Sequence, residues 1–173
     1  MGADRYIYDQ ALIDKFSPTL FSPRSARGIL DVHGKQMGRG AIHFFESDGL
    51  LLVLRHYRRG GVMRHLVKDL YPGIRAASSR SFCEWHLLSA LYQQGLPVPR
   101  PVAASFVPCG PFYRAGLITL QIENAHPFST LLNEDIPPET WQQIGATLRR
   151  FHNARVFHAD LNAHNILLAG QKV

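Results

Sequence analysis

One short stretch near the carboxyl end of the sequence carries side chains that could do chemistry together. His158, Asp160 and Asn165 fall in the pattern His-x-Asp-x-x-x-x-Asn. A carboxylate such as Asp160 can accept or orient the proton of a hydroxyl group, and an amide oxygen such as that of Asn165 can bind a Mg²⁺ ion that bridges phosphates. The transfer of a phosphoryl group to an alcohol requires both functions. The pattern therefore predicts Asp160 as the catalytic base and Asn165 as a metal ligand.

The spacing of this pattern is that of the catalytic loop of protein kinases. It follows an amphipathic helix predicted over residues 137–153 and precedes the apolar run 166–168. We expect His158, counted with the catalytic residues, to pack beneath the loop and to hydrogen-bond its backbone. Two other interpretations stay open. One is a polar turn in which Asp160 is a turn former, and the other is an iron site made by His158, His164 and Asp160.

A second pair of charged residues fits the nucleotide end of the same reaction. Kinases need a cation on the third strand that contacts the phosphates and pairs with a helix carboxylate. The third predicted strand carries Arg55, and Glu84 projects into the apolar stripe of a helix predicted over residues 81–94. A carboxylate in that position needs a cationic partner. We therefore predict that Arg55 pairs with Glu84, although Lys is the usual cation and Arg is not equivalent to it. A surface arginine and a tolerated glutamate are the alternative.

Weaker signals mark the rest of a nucleotide site. Gly38, Arg39 and Gly40 lie in a glycine-containing turn between the first two predicted strands, where the backbone could approach phosphates closely. An ordinary hairpin turn would explain these three residues equally well. Gln121 lies where an adenine-contacting connection is expected. Together these residues predict binding of ATP with Mg²⁺.

Basic residues gather at the end of the third predicted strand and on the polar face of a helix predicted over residues 62–71. They are Arg58, Arg59, Arg64, His65 and Lys68. Such a face suits an anionic acceptor or acidic lipid headgroups, although a solvated helix face is the simpler interpretation. The whole sequence is basic as well, because 19 Lys and Arg residues against 13 Asp and Glu residues give a net charge of +6. That charge favours anionic partners.

The elements that must position these residues are strands with inserted helices. Strands are predicted over residues 29–32, 41–45, 50–57, 102–107 and 114–123, and helices over residues 62–71, 81–94 and 137–153. This order predicts an α+β fold in which a five-stranded antiparallel sheet precedes the start of a helical lobe. The predicted boundaries are an N-terminal extension (1–27), the sheet-containing lobe (28–122) and the start of a second lobe with the catalytic loop (123–173).

The composition excludes several other classes of protein. Only Cys83 and Cys109 are present, so a disulfide framework is not expected and a reducing compartment fits. The first ten residues lack the pattern of a signal peptide, and the apolar run at residues 50–54 is too short to cross a bilayer. No RNA-binding signature and no zinc-finger spacing occur, so nucleic acid is not an expected partner. We expect a cytoplasmic protein that is at most peripheral to a membrane.

Three segments of the sequence resemble the bacterial lipopolysaccharide kinases, most closely those that act on 3-deoxy-D-manno-octulosonic acid (Kdo). They are Arg55-His-Tyr-Arg-Arg-Gly-Gly61, Pro97-Val-Pro-Arg-Pro101 and Phe157-His-Ala-Asp-Leu-Asn-Ala-His-Asn165, and the resemblance covers residues 28–168. It implies a protein-kinase-like fold. It also implies transfer of the ATP γ-phosphate to a hydroxyl of the Kdo sugar on a lipid A precursor, by a protein bound to the anionic cytoplasmic face of the inner membrane. By the same resemblance Arg55 takes the place of the strand lysine and Glu84 is its partner.

One feature departs from this pattern. Kinase-like enzymes use a second metal-binding aspartate after the catalytic loop, and the sequence has no Asp after Asp160. Either the 173-residue chain is a fragment that lacks most of a helical C-terminal lobe, or it cannot hold its metal ions properly; in both cases we expect it to be inactive or poorly folded on its own. Two alternatives for its function remain: a heptose kinase or protein Ser/Thr kinase of related fold, and a nucleotide-binding pseudokinase.

Overall fold

A computed structural model of the chain describes residues 3–22, 42–57, 71–72, 75–133 and 135–170. The chain divides into two compact units. The first consists of residues 1–90 with 99–121, and the second of residues 91–98 with 122–173. The described part of each unit has hydrophobic core residues of its own.

An antiparallel sheet is the centre of the first unit. Its strands are β1 (Arg5–Tyr8), β2 (Ile42–Ser47), β3 (Leu50–His56), β4 (Tyr71–Pro72), β5 (Pro101–Cys109) and β6 (Phe112–Leu120). The strand order is β1-β5-β6-β3-β2, and the two-residue strand β4 pairs with β6 outside that order. The hairpin between β2 and β3 turns at Asp48 and Gly49, whose φ angles are 50° and 75°. Positive φ at both positions is the requirement of the tight hairpin turn that the Asp-Gly pair predicts.

One face of the sheet is covered by the helix α1 (Arg80–Gln93). Phe82 is buried in this core, and Trp85 and Leu88 pack against it. The Ser79 Oγ accepts a hydrogen bond from the N–H of Phe82 (3.4 Å), which caps the start of the helix. The Ser81 hydroxyl donates to the carbonyl of Ser105 on β5 (2.7 Å). These contacts fix the helix, and with it Glu84, against the sheet.

The opposite face is covered by the chain segment that follows β1. The apolar residues of this segment are Leu12, Ile13, Phe16, Leu20 and Phe21, and they pack with Leu52, Leu54, Val102 and Ile118 of the sheet. Asp9 joins the segment to the sheet, because its Oδ2 accepts hydrogen bonds from the Nε (3.1 Å) and Nη2 (2.7 Å) of Arg100. Both faces of the sheet therefore carry packed apolar residues, as a stable sheet-based core requires.

The N-terminal residues are thus part of the sheet unit. No strand was predicted within the extension of residues 1–27, whereas Arg5–Tyr8 forms β1 and pairs with residues 103–106 of β5. The short strand was missed because four residues give too few alternations to identify a strand. Its pairing partner also lies far away in the sequence.

The second unit is built from the helix α2 (Pro138–Asn153) and a two-stranded sheet of β7 (Ala125–Pro127) and β8 (Leu167–Ala169). Its core consists of Phe128, Ile144 and Leu168. Leu148 and Ile166 pack against that core. The turn after α1 belongs to this unit as well, because the Arg150 Nη2 on α2 donates to the Gly95 carbonyl (2.7 Å).

Most predicted elements within the described residues are present. The helices predicted over 81–94 and 137–153 begin and end within one residue of α1 and α2, and four predicted strands correspond to β2, β3, β5 and β6. The predicted strand at 29–32 and residues 62–70 of the helix predicted over 62–71 lie outside the described residues. The last residue of that helix was predicted wrongly: Tyr71 is in β4, paired with Tyr113, and a residue before proline disfavours helix. The described part of the chain contains no helix with the length and apolar character needed to cross a bilayer.

Candidate active site

The first unit brings three side chains into mutual contact. Arg55 lies in β3 and Tyr57 directly follows the strand, so the two side chains project from the same face of the sheet, toward α1. The Arg55 Nη2 donates to the Glu84 Oε1, and the Tyr57 hydroxyl donates to the Glu84 Oε2 (2.5 Å). The Arg55 Nη2 also donates to the Tyr57 oxygen (3.3 Å). The pairing of Arg55 with Glu84 that the helical pattern predicted is therefore present in the structure.

The environment of this cluster shifts two proton affinities. Burial on its own lowers the pKa of the Arg55 guanidinium, but the Glu84 carboxylate and the bonds to Tyr57 outweigh it, so the pKa lies above its ordinary value. Burial and the negative charge of Glu84 both raise the pKa of the Tyr57 phenol above its ordinary value. Arg55 thus stays cationic and Tyr57 stays a hydrogen-bond donor. Part of the guanidinium is open to solvent, since 44% of the Arg55 side chain is exposed.

The second unit carries the loop predicted to be catalytic. The loop lies between the end of α2 and the start of β8. Two backbone hydrogen bonds attach it to the residues after β7: Ser129 N–H to the Ala163 carbonyl (3.0 Å) and Phe128 N–H to the Ile166 carbonyl (2.8 Å). Phe128 is buried in the core of this unit, so the loop rests on a packed base.

Two asparagines hold Asp160 within this loop. The Asn165 Nδ2 donates to the Asp160 carbonyl (2.7 Å), and the Asn162 Nδ2 donates to the same carbonyl (3.1 Å) and to the carboxylate Oδ1 (3.3 Å). The Asn162 Oδ1 accepts from the N–H of His164 (2.9 Å). Asp160 itself is exposed. Asp160 and Asn165, the two residues on which the sequence interpretation depends, are therefore in direct contact.

The expected position of His158 is wrong. Its side chain is exposed rather than packed beneath the loop, and it follows Phe157, which is 84% exposed. The backbone contact assigned to His158 is made by Asn162 and Asn165, whose amides lie within five residues of the carbonyl that they bind. Short local bonds of this kind need no packing from a distant side chain.

Of the remaining predicted site residues, only Gln121 lies within the described part of the chain. The glycine turn (Gly38, Arg39 and Gly40) and the basic surface (Arg58, Arg59, Arg64 and Lys68) lie outside the described residues. Gln121 directly follows β6, and its backbone N–H donates to the Leu51 carbonyl (2.9 Å), so this donor is already used within the sheet. The chain passes from the first unit to the second between Gln121 and Ile122.

A comparison with protein families decides what kind of chain this is. Residues 29–172 match the model of the lipopolysaccharide kinase (Kdo/WaaP) family. The chain belongs to that family. The match covers both the strand with Arg55 and the loop with Asp160, so both candidate groups lie within the family's own sequence pattern.

Several relatives in the lipopolysaccharide kinase family are named 3-deoxy-D-manno-octulosonic acid kinase. The chain is 45% identical to one from Haemophilus influenzae (strain PittEE) over 143 residues, which is 79% of this chain and 59% of the relative. It is 38% identical to one from Vibrio vulnificus (strain CMCP6) over 172 residues, 99% of this chain and 73% of the relative. The chain thus spans less than two thirds of the Haemophilus protein. No solved structure matches it significantly.

The amide of Asn165 is a chemical group that suits a magnesium ion. Because the Asn165 nitrogen is bound to the Asp160 carbonyl, the orientation of the amide is fixed and its oxygen points away from that carbonyl. An amide oxygen and a nearby carboxylate are the hard ligands that Mg²⁺ prefers. The iron alternative lacks such support: within the described residues no group of three His, Cys, Asp or Glu side chains comes together to hold a metal.

Sequence reasoning missed two residues of this member of the lipopolysaccharide kinase family. Tyr57 could have been found, because residues i and i+2 of a strand share a face and Tyr57 is therefore the neighbour of Arg55. Asn162 could also have been found, since an Asn side chain commonly bonds the backbone two residues further on, as Asn162 does with His164. Neither residue belongs to the kinase motif, and neither was predicted.

Proposed function

We propose that this chain is the nucleotide-binding and catalytic part of an ATP-dependent kinase that phosphorylates a hydroxyl group of Kdo in a lipopolysaccharide precursor. The names of its relatives support the choice of acceptor. The observation that carries the proposal is the Asp160–Asn162–Asn165 network. In it the Asp160 Oδ1 and carbonyl are bound, and among the described residues no hydrogen bond occupies the Oδ2.

Each residue has a role that follows from its atoms. Asp160 offers its Oδ2 to the acceptor hydroxyl, orients it and takes its proton. The hydroxyl oxygen bonds to the γ-phosphorus while the bond from that phosphorus to the β–γ bridging oxygen breaks and ADP leaves. Asn162 keeps the carboxylate from rotating. Asn165 would hold Mg²⁺ through its amide oxygen. The ion, when bound with the nucleotide, supplies neutralisation of the phosphate charge. Arg55 would bind phosphate oxygens with the N–H groups that Glu84 and Tyr57 do not use.

The proposal extends to the molecule as a whole. Residues 28–122 are proposed to act as a nucleotide-binding lobe of the protein-kinase-like type, and residues 123–173 to carry the catalytic loop. The basic residues Arg58, Arg59, Arg64 and Lys68 are proposed to contact the anionic acceptor. The chain's net charge of +6 and the lipid nature of the proposed acceptor favour peripheral binding at the anionic cytoplasmic face of the inner membrane.

Asp160→Asn is the test of this function. The variant keeps the shape of the side chain but cannot take a proton, so we expect phosphate transfer to a Kdo-bearing lipid A precursor to fall by about 10²–10⁴-fold. Binding of Mg²⁺-ATP should persist. Transfer is measured with γ-labelled ATP and purified acceptor in the full-length protein. Asp135→Asn, at an exposed carboxylate before α2, is the matched control and should keep wild-type activity.

The choice of acceptor separates the alternatives. We expect transfer to the Kdo-bearing precursor and none to a heptose-bearing core or to a generic protein substrate. Transfer to either of the latter two instead of Kdo would assign a different kinase activity. Nucleotide binding without transfer to any acceptor would contradict catalysis and favour a nucleotide-binding role.

A further inference from the structure

Glu84 is bound through both of its carboxylate oxygens. Arg55 binds the Oε1, and the Tyr57 hydroxyl binds the Oε2 at 2.5 Å. Since the Arg55 Nη2 also reaches the Tyr57 oxygen, each of the three side chains contacts the other two. We call this arrangement of Arg55, Tyr57 and Glu84 the β3–α1 triangle. In a simple ion pair Glu84 would keep one oxygen free and could rotate about its side-chain bonds.

The three members of the triangle differ in how firmly they are held. Tyr57 is only 7% exposed and packs in the core with Phe82 and Tyr113, whereas 44% of the Arg55 side chain and 30% of the Glu84 side chain are exposed. The backbone N–H of Tyr57 donates to the Ala115 carbonyl (3.1 Å), which continues the hydrogen-bond ladder between β3 and β6. A partly exposed ion pair contributes little and is easily rearranged. The buried phenol is therefore the fixed point of the triangle.

We propose that Tyr57 is a positioning residue that holds Glu84, and through it Arg55, in the arrangement needed to bind nucleotide phosphates. This inference rests on the proposed kinase function. In kinases the strand cation and the helix carboxylate must both be in place for activity, and displacement of the helix breaks them apart. Here a side chain from the strand itself binds the helix carboxylate. The Tyr57 hydroxyl thus gives Glu84 a second partner besides Arg55.

The surroundings of the phenol support this role. Among the described residues, the charged groups close to it are Glu84, Arg55 and Arg80, and the two guanidinium carbons lie 5.1 Å and 5.5 Å from the centre of its ring. Burial and the Glu84 charge raise the pKa of Tyr57, so the hydroxyl remains a donor at physiological pH. A hydrogen bond from a neutral donor to a carboxylate is among the stronger ones in proteins.

Tyr57→Phe tests the inference, with Tyr113→Phe as its matched control. Tyr113 is a buried tyrosine of the same core, and its hydroxyl accepts from the backbone N–H of Arg80 (3.2 Å) on the same helix. It contacts α1 without contacting Glu84. We expect Tyr57→Phe to raise the KM for ATP about tenfold and to leave the KM for the acceptor unchanged. Tyr113→Phe should change the unfolding midpoint but neither KM.

A double variant decides whether Tyr57 acts through Glu84. In a Glu84→Gln background the phenol has lost its charged acceptor, so adding Tyr57→Phe should raise the KM for ATP by less than twofold. Full additivity of the two effects, or an unchanged KM in Tyr57→Phe, would overturn the inference. A wild-type protein that neither binds ATP nor transfers phosphate would instead overturn the proposed function.

In that case the unfolding free energies of the wild type, the two single variants and the double variant still test the contact. Non-additive values would show that Tyr57 holds Glu84, whereas additive values would overturn that contact too.

Discussion

Asp160 is held by two asparagine amides, although a histidine two residues earlier was expected to shape its loop. Asn162 and Asn165 both donate to the Asp160 carbonyl, which can accept two hydrogen bonds because it has two lone pairs. These bonds span two and five residues, so they are local to the loop. The position of the candidate base is thus encoded within the loop itself.

The buried phenol of Tyr57 gives the protein a pH dependence at the alkaline end. Its pKa is raised in the folded state, so the unfolded chain loses this proton from about pH 10 upward while the folded chain keeps it. The folded state then binds more protons, and stability falls as pH rises above 10, by up to about 1.4 kcal/mol per pH unit. Denaturant unfolding at pH 9, 10 and 11 measures this slope.

Tyr57→Phe is the control for this titration. The variant has no phenol to ionise, so its unfolding free energy should be flatter with pH than that of the wild type. Tyr6 also has a raised pKa, caused by burial and by Asp4, and remains in both proteins. The difference between the two profiles therefore belongs to Tyr57. Parallel profiles for the two proteins would contradict the prediction.

The candidate site could be predicted in part at this scale. Glu84 was identified because a carboxylate in an apolar helix stripe needs a cation, and the structure supplies Arg55. Asp160 and Asn165 were identified from their spacing, and they are in contact. The contribution of Tyr57 was not foreseen, because a tyrosine next to a strand is usually interpreted as a residue of the hydrophobic core. The expectation for His158 failed because the residues around a histidine in the sequence do not show whether its side chain is buried or exposed.

Elements with a strong periodic pattern and clear end signals were predicted well. The helix α1 ends at a turn where Gly95 has a φ of 71°, and α2 begins at Pro138, so both boundaries are marked by residue type. The strand β1 has no such signals. It is a strand because β5, far along the sequence, presents an edge for it to pair with. Local patterns cannot contain that information.

Gly116 on β6 lies where the N-terminal segment meets the sheet closely. A Cβ added there would be 2.9 Å from the Phe21 ring and 3.0 Å from the Ser105 Oγ. Gly116→Ala should therefore push Phe21 away from the sheet and lower the unfolding free energy by about 1–3 kcal/mol. Denaturant unfolding measures this loss.

Gly145→Ala is the matched control for that substitution. Gly145 lies in the middle of α2, and a Cβ there meets no described atom within 4 Å. Alanine favours the helix more than glycine does, so this variant should gain up to about 1 kcal/mol. The same chemical change thus has opposite signs at the two positions. Equal changes in the unfolding free energy of the two variants would show that the close approach of Phe21 to β6 does not contribute to stability.

In the whole molecule, the N-terminal segment completes the first unit. It contributes an edge strand, an apolar cover for one face of the sheet and the contact of Asp9 with Arg100. Deleting residues 1–22 should expose Leu52 and Leu54, each 1% exposed in the structure, and lower the unfolding free energy by several kcal/mol. Denaturant unfolding and binding of a dye specific for apolar surface measure this effect.

Asp9→Asn provides a smaller perturbation of the same segment. It weakens the contact with Arg100 but keeps the apolar cover, so it should cost about 1 kcal/mol and leave dye binding unchanged. A truncated protein with an unchanged unfolding midpoint would show that residues 1–22 do not stabilise the sheet.

The pairing of β1 with β5 also imposes an order on folding during translation. Arg5 pairs with Phe106, so about a hundred residues must leave the ribosome before the first strand can find its partner. At about 5–20 residues per second this delay is on the order of 5–20 s. During that time Phe16 and Phe21 have no sheet to cover. The segment thus cannot be ordered until β5 has been made, and the nascent chain offers chaperones an aromatic stretch throughout that interval.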